Sequence, residues 1–217
     1  MAIILTPSAK VSNLSFAPKS IEGNVVHSRP RPKRATSSCP LETPFTIIVD
    51  TAEQLDYSFD NLHADAAQLH RPLVVRTIRR HLRLKPTRLS IDYSLDGYER
   101  VVGIERKSHE DFCNTLAGRH RRRFEQKLTL INATFTHFAI VIEAEWSTIL
   151  YNPPDFSAAV PKTLFRTVIA WQTRFPRIHW HFMPNRSLAE KATFRVLERW
   201  WKELKEKEQQ TAKRIQQ

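Results

Sequence analysis

The 217-residue chain is 41% hydrophobic and 26% charged, enough apolar content for one domain with a real core. Its formal net charge of +12 points to a polyanionic partner, nucleic acid ahead of a membrane surface. Two cysteines, Cys39 and Cys113, exclude a disulfide scaffold or a zinc knuckle and favour a reducing intracellular compartment, and no run approaches the roughly 20 apolar residues of a membrane span.

Residues 1–44 read as a basic Pro/Ser-rich leader. "HSRPRPKRATSSCPLETP" has neither helical nor strand period, which predicts an extended segment. Its "RPRPKR" suits a phosphate-binding arm, a localisation signal or a solvated linker. "FTIIVD", 45–50, is a short apolar run ending in a carboxylate, the pattern of a buried strand. "YSFDNLHADAAQLHRPL" is expected to hold a helix with Leu62, Ala66 and Leu69 on one face. "LVVRTIRRHL", 73–82, suits a strand, and up to Arg88 its only charged residues are basic. Arg79 and Arg80 in that run are candidate phosphate contacts, with a solvated face as the ordinary alternative.

"RLSIDYSL" and "ERVVGIERK" read as two strands flanking Asp96-Gly97, a hairpin signal. A helix follows from Ser108, where Ser108 and Asp111 match a capping box. After Gly118, "RHRRRFEQKLTLINA" is a second, basic helix with Phe124, Leu128 and Ile131 on its apolar side. Its Arg119, Arg121, Arg122 and Arg123 are placed to grip a nucleic-acid backbone. "FTHFAIVIEAEW" is a strand, "PKTLFRTVIAWQTRFP" an amphipathic helix, "RIHWHFM" a strand, and "SLAEKATFRVLERWWKELKEK" a closing helix opened by Ser187. The folded region is expected over 45–205, with a polar fraying tail over 206–217. Alternating strands and helices with one hairpin make the class α/β, a mixed central β-sheet flanked by helices.

Strand parity sharpens the chemistry at the hairpin. Residues i and i+2 share a face, so Glu105 and Lys107 project together and Arg106 points away, to brace the site from behind or to pair with an acid on a neighbouring helix. A carboxylate beside a lysine suits phosphodiester hydrolysis: the acid can hold a divalent metal, and the lysine can position water and offset phosphate charge. One carboxylate does not make a magnesium site. Asp50, Glu53 and Asp92 are the available partners, although Asp50 could cap the following segment and Glu53 could be an ordinary first-turn acid. A two-residue turn at Asp96-Gly97 would set Asp92 opposite Val101, about 13 Å along the strand from Glu105. Sharing one metal therefore predicts a wider loop, near residues 96–101, with Asp92 across from Glu105.

"IIVDTAEQLDYSF", "LSIDYSL" and "VVGIERKSHEDF" in that order resemble the ERCC4-type nuclease domain of the XPF/Mus81/Hef family, above all its stand-alone bacterial and phage versions. The family signature is Gly-Asp, a spacer, then Glu-Arg-Lys and an Asp after three more residues. Asp92, Glu105, Arg106, Lys107 and Asp111 match it and are implied to be the catalytic set. The upstream Asp-x-Arg-Glu falls on Asp50, Thr51, Ala52 and Glu53, so Asp50, Glu53, Asp92 and Glu105 are the implied metal-binding acids. The resemblance implies a restriction-endonuclease-like core that cuts branched DNA, flaps and forks, with Mg²⁺ or Mn²⁺. It also implies a homodimer through the nuclease domain and work in repair or recombination. Such a protein would sit with the nucleoid in a bacterial or phage setting and in the nucleus of a eukaryote.

Three departures stand out. Ile91 replaces the glycine before the first carboxylate, Ala52 replaces the upstream arginine, and the spacer from Asp92 to Glu105 is long. They leave room for a second reading, a catalytically weak nuclease fold serving as the DNA-gripping partner of another subunit. An RNA-binding protein without catalysis would explain the charge but not the acids.

Overall fold

The computed structural model describes residues 39–85, 87, 89–155 and 160–215. Most of the expected leader, residues 1–38, lies outside them. β1 (Leu41–Asp50) starts four residues before the expected boundary. It pairs in parallel with β2 (Leu73–Arg80) and antiparallel with β5 (Tyr93–Leu95). β5 pairs antiparallel with β6 (Val102–Lys107), and β7 (His137–Ile142) and β8 (Ile178–Phe182) follow in parallel. The sheet order is β2-β1-β5-β6-β7-β8, with β3 (Arg83–Leu84) and β4 (Leu89–Ser90) forming a separate two-stranded hairpin. Five strands thus run one way and only β5 opposes them, the mixed α/β architecture expected.

Alternation splits the apolar residues into two cores. Ile48, Phe138, Ile140 and Ile142 face α1 (His109–Leu116), α2 (Gly118–Thr134), α3 (Trp146–Tyr151) and α4 (Pro161–Arg174). Ile47, Val49, Tyr93, Ile104 and Val141 face α5 (Arg186–Ile215) and the segment carrying Tyr57, Phe59 and Leu62. Burial of such side chains is worth about 1.5–3 kcal/mol each, so the period-2 pattern holds every strand in register. Gly103 is needed where β6 crosses two aromatic rings. A Cβ there would come within 2.8 Å of the Phe138 ring and 3.0 Å of the Phe135 ring.

Three local expectations are corrected. The helix over 57–73 does not form; only a 3-10 turn at Ala66–Gln68 does. Phe59, Asn61, Leu69 and His70 have positive φ, which no helix accommodates. Tertiary contacts win instead: Tyr57 and Phe59 pack on Tyr93, and the Tyr57 N–H donates to the Tyr93 hydroxyl at 2.9 Å. At α5 the cap is Asn185, whose side-chain oxygen accepts from the Leu188 N–H at 2.9 Å, rather than Ser187. Glu190, three residues after Ser187, accepts from the Phe59 N–H instead of turning back to that helix start. The same helix does not fray at 206 but continues to Ile215, and Tyr98 donates to Glu208 on that extension.

Candidate active site

The β5–β6 connection is the wide one. Tyr93 stands opposite Ile104, so residues 96–101 form the loop and Gly97 takes a φ of 82° within it. Asp92 therefore comes abreast of Glu105. The Asp92 N–H donates to the Ile104 carbonyl at 3.0 Å, and the Arg106 N–H donates to Asp92 Oδ2 at 2.7 Å. On the other side Val49 stands opposite Tyr93, and the Asp50 N–H donates to the Asp92 carbonyl at 2.8 Å. Asp50, Asp92 and Glu105 thus occupy one level on three adjacent strands, at the carboxyl ends of β1 and β6. Ile91 is fully buried in the core, with a negative φ, so no glycine-only conformation is required before Asp92.

The face shared by Glu105 and Lys107 is buried and highly charged. Lys127 Nζ donates to Glu105 Oε2 at 2.6 Å, and Lys107 Nζ lies 3.7 Å from Glu105 Oε1. Lys107 also donates to Asp111 Oδ2 at 2.6 Å and sits over the Phe124 ring. Burial, then the neighbouring Glu105 charge, raises the Asp92 carboxyl well above its usual range. Burial pulls the Lys107 ammonium the other way, but Glu105 and Asp111 together outweigh it and hold the lysine protonated. Glu105, Lys107 and Lys127 open onto a cleft of about 270 Å³ whose α2 wall carries His120, Arg123 and Phe124.

Arg106 does face away, but its partners are not on a helix. It binds Glu143, just past β7, through two bonds of 2.8 and 3.0 Å, and reaches Glu53 at 3.3 Å. Tyr57 and Arg186 donate to the same Glu143 at 2.9 and 3.1 Å. This buried fork, ideal for a guanidinium, stiffens β6 directly behind Glu105. Asp111 also departs from expectation. Its N–H takes the Ser108 hydroxyl at 3.1 Å, as a cap requires, but its carboxylate turns to Lys107 and, at 3.2 Å, to Thr115. Asp111 thus anchors the lysine and leaves the reciprocal half of the capping box unmade.

The four-acid metal set is not gathered. Glu53 is spent on Arg106 and on the Leu55 N–H. Asp50, 1% exposed, accepts from the Leu82 N–H at 3.1 Å, the Ser90 hydroxyl at 3.0 Å and the Ala52 N–H at 3.3 Å, with His81 Nδ1 also at 3.3 Å. Burial would raise its carboxyl, but these bonds outweigh that and lower it. Asp50 therefore ties the β2–β3 turn to the sheet, and Asp92 with Glu105 remain as the facing pair. Among the described residues no group of three or more His, Cys, Asp or Glu is arranged to hold a metal ion.

The arginines divide as well. Arg79 pairs with Asp56 at 2.7 Å, and Arg80 with Glu99 and Asp96 at 2.7 and 3.1 Å. Both guard the edge strand with their charge already matched. Arg121 lies over the Trp171 ring, and no ion pair among the described residues involves Arg119, Arg122 or Arg123. Sequence reasoning missed Lys127 and Glu143. Lys127 had a signal, lying three residues after Phe124 and four before Ile131 on the core-facing stripe of α2. Glu143 had one too, since it shares the face of Val141 just beyond the apolar run from Phe138 to Ile142.

The ERCC4 domain family model matches residues 40–194. Among solved structures the chain is similar to XPF from Aeropyrum pernix, at 16% identity over 70% of this chain and 58% of that one, with a TM-score of 0.44. It is likewise similar to that protein's complex with DNA, at 17% identity over 71% and 62%, again with a TM-score of 0.44. The chain spans about three-fifths of those chains. A search of curated proteins finds no match. No helix among the described residues is long and apolar enough to cross a membrane. The family match takes in every strand from β1 to β8 and both carboxylates of the facing pair, and the chain belongs to the ERCC4 domain family.

Proposed function

We propose that the protein is a metal-dependent endonuclease that hydrolyses phosphodiester bonds in branched DNA, flaps and forks, during repair or recombination. The observation that carries this reading is the facing pair Asp92 and Glu105 with the buried Lys107 ammonium beside them. Family membership supports it, as do Arg119, Arg122 and Arg123, which have no ion-pair partner among the described residues. The homodimer expected for the family belongs to the same proposal.

The residues fit Mg²⁺ or Mn²⁺. Burial first and the neighbouring Glu105 second raise the Asp92 carboxyl, and a divalent cation held by the two hard carboxylates would favour their charged forms. Two acids completed by waters and substrate phosphate are a donor set Mg²⁺ accepts. When bound, the ion supplies Lewis acidity that acidifies water and offsets phosphate charge. Asp92 and Glu105 would hold it. Lys107 stays protonated, so it orients the attacking water and donates to a phosphate oxygen rather than removing a proton. Asp111 fixes the Lys107 ammonium, and the Arg106–Glu143 fork fixes the strand that carries Glu105.

Labelled flap, fork and duplex DNA, incubated with Mg²⁺ or Mn²⁺, test the reading. Wild type is expected to cut, and Lys107→Ala to lose at least about 10²-fold in rate while still binding DNA. Binding without cutting by wild type under both metals would leave a nuclease fold that only grips DNA for another subunit.

A further inference from the structure

Lys127 stands apart from the motif lysine. Its side chain is 27% exposed against 7% for Lys107, and its one ion pair among the described residues is with Glu105, at 2.6 Å. Lys107 is also tied to Asp111 and packed on Phe124, so Lys127 is the cation free to move. On α2 it shares a face with Arg123 and His120, one and two turns back, and all three line the cleft above Glu105. Neither His120 nor Arg123 forms an ion pair or side-chain hydrogen bond among the described residues. The cleft therefore sets Lys107, Lys127 and Arg123 against Glu105, with Asp111 holding Lys107 from beside it, and Arg123 is left as positive charge in excess that suits an anion.

We propose that this wall of α2 is a phosphate subsite for the DNA backbone beside the cut, and that Lys127 is its exchangeable cation. In the metal-free protein Lys127 neutralises Glu105. A divalent cation on Glu105 and Lys127 on the same carboxylate repel each other, so loading one releases the other. The freed ammonium then turns on its four-carbon stem toward the cleft, where Arg123 and His120 already face a passing phosphate. Lys127 and metal thus compete for Glu105, and by linkage each weakens the other there. The reach to phosphate deepens the endonuclease reading and rests on it; the competition for Glu105 does not.

Mn²⁺ affinity, measured without DNA by calorimetry or paramagnetic resonance, separates the possibilities. Lys127→Met keeps the stem and removes the charge. It is expected to bind Mn²⁺ roughly tenfold tighter than wild type, yet to hold labelled fork DNA less tightly in Ca²⁺. Arg123→Met, at an exposed position, should weaken DNA binding and leave Mn²⁺ affinity unchanged. A folded Lys127→Met that binds Mn²⁺ equally or more weakly overturns the exchange. DNA binding untouched in both variants overturns the subsite. If wild type cuts no DNA but the tighter Mn²⁺ binding appears, the endonuclease reading falls and the exchange stands.

Discussion

Asp92 is held at a cost in the metal-free protein. Burial first and Glu105 second raise its carboxyl, so the folded state takes up this proton more readily than the unfolded chain. That contribution to stability is complete below the ordinary carboxylate range and is lost as pH rises through the raised value. Asp92→Asn removes the charge and keeps an oxygen for the Arg106 N–H. In EDTA near neutral pH it should melt above wild type, by about 2–4 °C for each kcal/mol recovered, with the gap closing as pH falls. Thermal melts across pH check this, and a variant that melts at or below wild type throughout would remove the strain from the account. Asp50 has the opposite sign. Its lowered carboxyl stabilises the fold above the ordinary carboxylate range, and that stability is lost as pH falls through the lowered value. The two aspartates, level on neighbouring strands, thus do different work, one standing across from Glu105 and one fastening a turn.

The elements that matter most are β6 and its parallel neighbour β7. Gly103 lies two residues before Glu105, against the fully buried Phe138 and Phe135 rings. Gly103→Ala forces either the rings or the strand to shift and should cost about 1–3 kcal/mol in urea unfolding. Because β6 carries Glu105 and Lys107, a strand displacement would register in Mn²⁺ affinity as well. A variant as stable as wild type would mean that the rings give way freely. The β5–β6 loop shows how far an element can be argued from chemistry alone. Asp96-Gly97 signals a tight turn, and only the requirement that Asp92 meet Glu105 argues for the six-residue loop that forms. The segment over 57–73 shows the reverse. Its apolar spacing fits a helix, but Phe59 and Leu62 find more burial against Tyr93 and α5 than a helix could give them.

For the molecule as a whole, ion pairing separates bases whose charge is already matched from bases whose charge is open to a polyanion. Arg79 and Arg80 are matched by acids of their own chain, whereas Arg119 and Arg122 are exposed and without ion-pair partners among the described residues. Arg119→Ala and Arg122→Ala should each reduce the slope of log affinity against log salt by about 0.9. Arg79→Ala should change it far less, since its guanidinium is engaged with Asp56 and the Glu53 carbonyl. Fork-DNA titrations at several salt concentrations check this, and equal slope changes in both groups would place DNA along the β2 edge too.

Short-range pattern was enough for the sheet-and-helix class, the strand that presents Glu105 and Lys107 on one face, and the basic helix after Gly118. Those features follow from periods of two and 3.6 residues, which are written locally in the chain. Partner choice is not local. Whether Glu53 would meet a metal or Arg106, and whether a lysine on α2 would reach Glu105, depended on residues 53 and 22 positions away, and even the Asp111–Lys107 pair, four residues apart, depended on how a strand end turns into a helix. Carboxylates and cations find partners by distance in three dimensions, and burial strengthens whichever pairing the packing permits. The amino-acid order thus determined which chemistry is present and which way the strands turn it, and the tertiary structure decided which acids face one another and which are tied elsewhere.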